Sequence, residues 1–146
     1  MKILDSALAI KEQILTDRRH IHRNPEVGFD LPETAAYVQK RLKEMGIKSQ
    51  ICGGPLDKKM RENFKFAGFP DMKASTGVVA TIGQGEPCIL LRADMDALPM
   101  NEAEGLVDFT SQKPGFAHMC GHDAHTAMLL GSRIVAMSFC EPRSCS

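Results

Sequence analysis

A thiol, two imidazoles and a carboxylate stand together in Cys120-Gly121-His122-Asp123-Ala124-His125, directly ahead of an apolar run. A thiolate and a neutral imidazole two residues apart can reach one ion from a tight loop. Gly121 gives the backbone the freedom to bring them together. If a helix begins near Asp123, that carboxylate occupies the favourable first turn, and it could also hold a ligating imidazole as an outer acceptor. The alternative is a polar loop capping a helix, with Cys120 as a small buried apolar group. The residue types and their crowding favour a catalytic metal, with Cys120 and His122 as candidate ligands.

A second group, Arg92-Ala93-Asp94-Met95-Asp96-Ala97-Leu98-Pro99, follows the apolar Ile89-Leu90-Leu91. The carboxyl end of a strand is where α/β sheets place their sites, and a period of two puts Asp94 and Asp96 on one side. Either carboxylate could orient a metal-bound imidazole or coordinate directly; the alternative is an Asx turn that ends a strand. A third group is Arg19-His20-Ile21-His22-Arg23-Asn24-Pro25-Glu26. It could bind an anion or offer His22 as a ligand. Capping of a helix end or pairing with carboxylates is the preferred reading.

The elements that must position these groups follow from periodicity and punctuation. Residues 3–24 predict an amphipathic helix with Leu4, Ala7, Leu8, Leu15 and Ile21 on its apolar side, stopped at Asn24-Pro25. Pro32 opens a second helix, with Ala36, Val38, Leu42 and Met45 apolar and Gly46 as terminator. Residues 47–52 predict a strand. Residues 53–75 are broken by Gly53-Gly54-Pro55 and Gly68-Phe69-Pro70 around a short basic helix at 56–66. Strands at 77–82 and 88–92, joined through the turn-rich Gly83-Gln84-Gly85-Glu86-Pro87, predict a hairpin with Ile89-Leu90-Leu91 buried. Residues 97–118 have little regular pattern. Residues 124–137 predict a helix apolar on most sides (Ala127, Met128, Leu129, Leu130, Ile134, Val135), expected to lie against a sheet. The mixture predicts an α/β domain over residues 1–137. Residues 138–146, with two Cys and a Pro, form an unrelated-looking tail.

Composition narrows the function classes. The 146 residues suit one domain, and the net charge of zero leaves no electrostatic footprint for nucleic acid or an acidic membrane surface. Seven Phe, one Tyr and no Trp make a base-stacking platform a poor expectation. Five Cys, an odd number, with no secretory signal and no long apolar span, predict a cytoplasmic protein whose thiols are free or ligating.

Three stretches, Arg19–Glu33 (RHIHRNPEVGFDLPE), Thr76–Met100 (TGVVATIGQGEPCILLRADMDALPM) and Gly115–Gly131 (GFAHMCGHDAHTAMLLG), resemble the N-terminal part of the metal-dependent amidohydrolases typified by hippurate hydrolase, N-acyl-amino-acid amidohydrolase and auxin-conjugate hydrolase. Carboxypeptidase G and aminoacylase are related. The resemblance implies part of a mixed-sheet catalytic domain of the zinc-peptidase type, with later strands and a lid and dimerisation domain beyond it. It implies two divalent ions (zinc, manganese, nickel or cobalt) that activate a water against the amide of an N-acyl or N-aroyl amino acid or short peptide, in enzymes that are often dimeric. By position, Cys120 and His122 match the first two ligands, Asp96 the supporting catalytic carboxylate and Asp94 its companion. His125 matches the motif without a ligand role. The family's Glu-Glu pair and two further His are expected downstream of this chain, so a truncation or frame change is expected near Met137. The segment 53–75 is longer than the usual link.

Three functional expectations follow. One is a metal-dependent amidohydrolase whose present chain has little activity. A second is a non-catalytic fragment, or half of a split enzyme needing a second polypeptide. A third is a small metal-binding or thiol-redox module that recruits Cys140 and Cys145.

Overall fold

The structure is a computed structural model that describes residues 3–86, 88–103, 105 and 107–137. Along the chain come α1 (Ile3–Ala9), α2 (Lys11–Arg23), α3 (Pro32–Glu44), β1 (Ser49–Cys52), α4 (Lys58–Phe66), β2 (Gly77–Ala80) and α5 (His122–Met137). The tail at 138–146, with Cys140 and Cys145, lies outside the described residues, as does Pro87.

The expected first helix is two. Ile10 leaves helical geometry at φ −106° and ψ 6°, and its carbonyl accepts from Ile14 N–H at 3.1 Å to start α2. Ile21 is buried as expected, whereas Leu4 and Leu8 lie on the exposed part of α1. Seven residues make too short a helix to bury a full apolar stripe. α3 begins with its proline in the first turn. Its free N–H groups at Glu33 and Thr34 donate to the Glu26 carboxylate at 3.2 and 2.7 Å. It ends at Gly46, whose φ of +73° lets Ile47 N–H reach back to Leu42 C=O at 2.8 Å. Its buried face carries Ala35, Val38 and Leu42; the expected Ala36 is exposed, one position off the stripe.

β1 and β2 pair antiparallel from Ser49↔Ala80 to Cys52↔Gly77. This pairing replaces the expected hairpin. Among the described residues, 88–92 forms no strand, and Ile89, Leu90 and Leu91 are exposed, Leu90 at 90%. Local apolarity specifies burial only where another element supplies a covering face, and the described chain supplies none there. The basic helix at 56–66 is borne out as α4, started by Asp57, whose carboxylate accepts from Met60 N–H at 2.9 Å. The link on its far side docks through Met72, which is buried against Gly28. Gly28 has φ +85°, and a Cβ there would run into the Met72 thioether.

α5 packs mainly along α2, with α1 and α3 beside it, and not against a sheet as expected. The helices pack tightly at Gly131, where an added Cβ would sit 2.8 Å from Ile14 Cδ1. Two four-residue strands are too narrow to cover a helix; they offer only Val78 and Ala80 to the core of Val38, Leu42, Ile47 and Leu130. Ile134 and Val135 lie beyond the residues whose side chains are described.

The patternless stretch 97–118 is pinned to the C-terminal end of α2 and the residues that follow it. Ala97 N–H donates to Glu26 C=O at 2.7 Å, Gln112 N–H to Arg23 C=O at 2.9 Å, and Arg23 Nη2 to Asp108 C=O at 3.0 Å. Leu98 and Ala117 exchange bonds of 3.0 and 3.1 Å across its base, which delivers the chain to the Cys120 loop.

Candidate metal centre

Gly121 turns the chain into α5. Its φ of +83° is a left-handed conformation that only glycine adopts at low cost, and its carbonyl accepts from Ala124 and His125 N–H, both at 3.0 Å. The turn leaves Cys120 exposed as a free thiol and starts the helix at His122.

The His122 ring meets Asp96. Nδ1 lies 3.0 Å from Asp96 C=O and 3.0 Å from Asp96 Oδ1. Both partners are acceptors, so Nδ1 carries the proton and Nε2 keeps its lone pair. A carboxylate holding one ring nitrogen while the other stays free is the arrangement that orients a metal-ligating histidine. The expected companion, Asp94, points elsewhere. Its carboxylate pairs with the Arg92 guanidinium, whose hydrogen bonds hold it below the usual carboxylate range, while its backbone carbonyl accepts from Thr126 Oγ1 at 3.0 Å. His125 is exposed, its ring centroid 5.8 Å from that of His122.

The donors Cys120 and His122 suit a divalent ion in type, and His122 in tautomer. Among the described residues no group of three or more His, Cys, Asp or Glu could hold an ion.

Behind this turn lies a buried polar cluster. His22 is 5% exposed. Its Nδ1 is 2.8 Å from Asp123 Oδ2 and its Nε2 2.9 Å from Glu102 Oε1. Arg18 Nε donates to the same Asp123 oxygen at 3.2 Å, and Ser111 N–H to Glu102 Oε2 at 2.8 Å. Burial pushes the Asp123 carboxyl up, but bonds from His22, Ala124 N–H and Arg18 outweigh it and hold it below its ordinary value. Glu102 is likewise lowered, burial being outweighed by His22 and Ser111 N–H. His118 packs nearby, its ring centroid 6.2 Å from that of His22, with no partner at either ring nitrogen. Burial chiefly lowers it to about 4, and the Asp123 carboxylate opposes this in part.

Sequence reasoning found part of this cluster. Pairing of His22 with carboxylates was the preferred reading of its motif. Asp123, one possible acceptor for a ligating imidazole, pairs with His22 instead, and Asp96, the carboxylate that the resemblance points to, stands beside His122. Glu102 was missed, because an isolated acid in a patternless stretch carries no periodic signal.

The architecture is similar to part of the M20 peptidase fold. Over 89% of its length it superposes, with a TM-score of 0.66 and 33% identity, on 32% of a Bacillus subtilis protein described as a dinuclear metal binding peptidase from the M20 family. Residues 90–142 match the model of peptidase family M20/M25/M40. The chain is 41% identical over 125 residues to N-acetyl-L-cysteine deacetylase of Bacillus subtilis (84% of this chain, 25% of the relative). It is 40% identical over 118 residues to IAA-amino acid hydrolase ILR1-like 5 of Arabidopsis thaliana (79% of this chain, 22% of the relative). The chain thus spans about a quarter of the length of these curated relatives.

Proposed function

We propose that residues 1–137 form part of a catalytic domain for metal-dependent hydrolysis of the amide bond in N-acyl or N-aroyl amino acids, with Cys120 and His122 as metal ligands and Asp96 as the supporting carboxylate. The observation that carries this reading is the His122–Asp96 bond, which frees Nε2 for an ion. The names of the relatives, a deacetylase of an N-acetyl amino acid and a hydrolase of auxin–amino acid conjugates, support the substrate class. When bound, two divalent ions (manganese, zinc, nickel or cobalt) would lower the pKa of a water and polarise the amide carbonyl. The work of this chain's own residues is to set the His122 tautomer through Asp96, to hold the thiol on the Gly121 turn, and to keep that turn rigid from behind.

A catalytic zinc site ordinarily takes three protein ligands, and the described residues supply two. With two ligands among the described residues, little or no turnover is expected of these 146 residues alone. The test is incubation of the purified 146-residue chain with manganese or zinc and N-acetyl or N-benzoyl amino acids, beside a chelated control. Turnover above the control overturns the inactive reading. Loss of metal binding on Cys120→Ser and His122→Ala supports the ligand pair.

Three described cysteines, Cys52, Cys88 and Cys120, are exposed free thiols, which supports a reducing, cytoplasmic setting. No helix among the described residues is long and apolar enough to cross a membrane.

A further inference from the structure

The His22 cluster has no place in the ligand set, yet it ties together three segments around the Cys120–His122 turn. His22 stands on α2, Glu102 on the stretch leading to the turn, and Asp123 next to the candidate ligand His122. The ring faces a carboxylate oxygen at each nitrogen, at 2.8 and 2.9 Å, and so bridges two carboxylates. Each carboxylate is anchored a second time, Asp123 by Arg18 Nε and Glu102 by Ser111 N–H. The ring is also fixed sideways by the edge of Phe109 at 5.1 Å, over which the Arg18 and Arg19 guanidinia lie at 5.6 and 5.4 Å. Charge-assisted bonds among buried groups are stronger and more directional than bonds at the surface.

We infer that His22 is a positioning residue. Through Asp123 it fixes the first turn of α5, and through Glu102 it fixes the incoming segment. Cys120 and His122 are thereby held in register before an ion arrives. A pre-set turn spares the ordering cost of binding, so the brace acts on metal affinity without touching metal. This inference rests on the ligand pair proposed above, and the two are separable by experiment.

Cobalt(II) titration of the full chain, followed by its thiolate-to-metal absorption band, reads both. A band in the unaltered chain that Cys120→Ser removes supports the ligand pair. His22→Gln and Glu102→Gln are then expected to weaken cobalt binding about tenfold while the band keeps its shape. Tyr37→Phe, which disturbs a different buried cluster on α2, leaves the affinity unchanged. Unchanged affinity in both His22→Gln and Glu102→Gln overturns the brace. If the unaltered chain gives no band, the ligand reading fails, and amide hydrogen exchange of residues 119–125 in metal-free protein decides the brace. Exchange about tenfold faster in His22→Gln and Glu102→Gln than in Tyr37→Phe supports it, and equal rates refute it.

Discussion

Around His22, charged and polar side chains from α2, from 97–118 and from the start of α5 are buried against one another, and both nitrogens of the central ring are paired. Around Leu90, three consecutive aliphatic residues stand in solvent. The sequence suggests the reverse, since an apolar run belongs inside and charged residues outside. The contrast shows that burial follows from which faces meet. The polar groups around His22 are buried because they complete one another's hydrogen bonds, a condition under which desolvation is tolerable. The aliphatic run is exposed because nothing in the described chain covers it.

The comparison can be broken most forcefully at His22. His22→Ala leaves Glu102 and Asp123 without their shared partner, and removing one member of a buried charged group is strongly destabilising. The expected loss is about 3 kcal/mol, read as a lowered urea midpoint with an unchanged slope. A loss below about 0.5 kcal/mol would mean that the cluster is solvated and that the two regions do not differ as described.

Acid probes the same region from another side. His118 is lowered from 6.5 to about 4, so between these values the unfolded chain takes up a proton that the folded chain refuses. Its contribution is present above pH 6.5 and is lost as pH falls through about 4. The magnitude is about 3 kcal/mol, an upper figure since partial opening of the site to water reduces it. The lowered Asp123 and Glu102 act in the same direction at more acid pH. Denaturant melts of metal-free protein from pH 7.5 to 4 check this: His118→Leu should flatten the profile, and an unchanged slope would place the ring in contact with water.

A smaller effect is expected at the second buried polar cluster. Asp17, 1% exposed, accepts from Tyr37 Oη at 2.7 Å and Arg41 Nε at 2.8 Å. Tyr37→Phe removes one of these bonds while the arginine remains, for a cost of about 1 kcal/mol by thermal or urea melting. The smallest effect belongs to the open side. Leu90→Ser should change stability by less than about 0.5 kcal/mol. A loss several times larger, or a fall in apparent mass by sedimentation, would show that this run is covered in solution by another copy of the chain.

Much of the helical framework was legible in the sequence, because helices announce themselves locally. Pro32 and Gly46 bound α3, Asp57 caps α4, and the apolar run after Asp123 forms α5. The strand pairing was not legible. Residues 77–82 and 88–92 looked like a hairpin from their turn-rich link, but β2 pairs with β1 across the α4 segment. Both partners are short and apolar enough for either pairing, so local pattern cannot choose between them. The site was half legible. Cys120, Gly121 and His122 are contiguous, and the family resemblance points to Asp96 ahead of Asp94; the bond between Asp96 and His122 itself forms only in three dimensions.

The sequence by itself determined α3, α4 and α5 and the close spacing of Cys120 and His122, side chains of a type that suits a divalent ion. These depend on residue types and short spacings, which a linear pattern preserves. Only the tertiary structure decided that Asp96 holds His122, that the patternless 97–118 is lashed to α2, and that His22 bridges Glu102 and Asp123 from positions 80 and 101 residues away. Such bonds form between groups that meet only after the helices have packed. Their strength comes from shared burial, which no local stretch of sequence encodes.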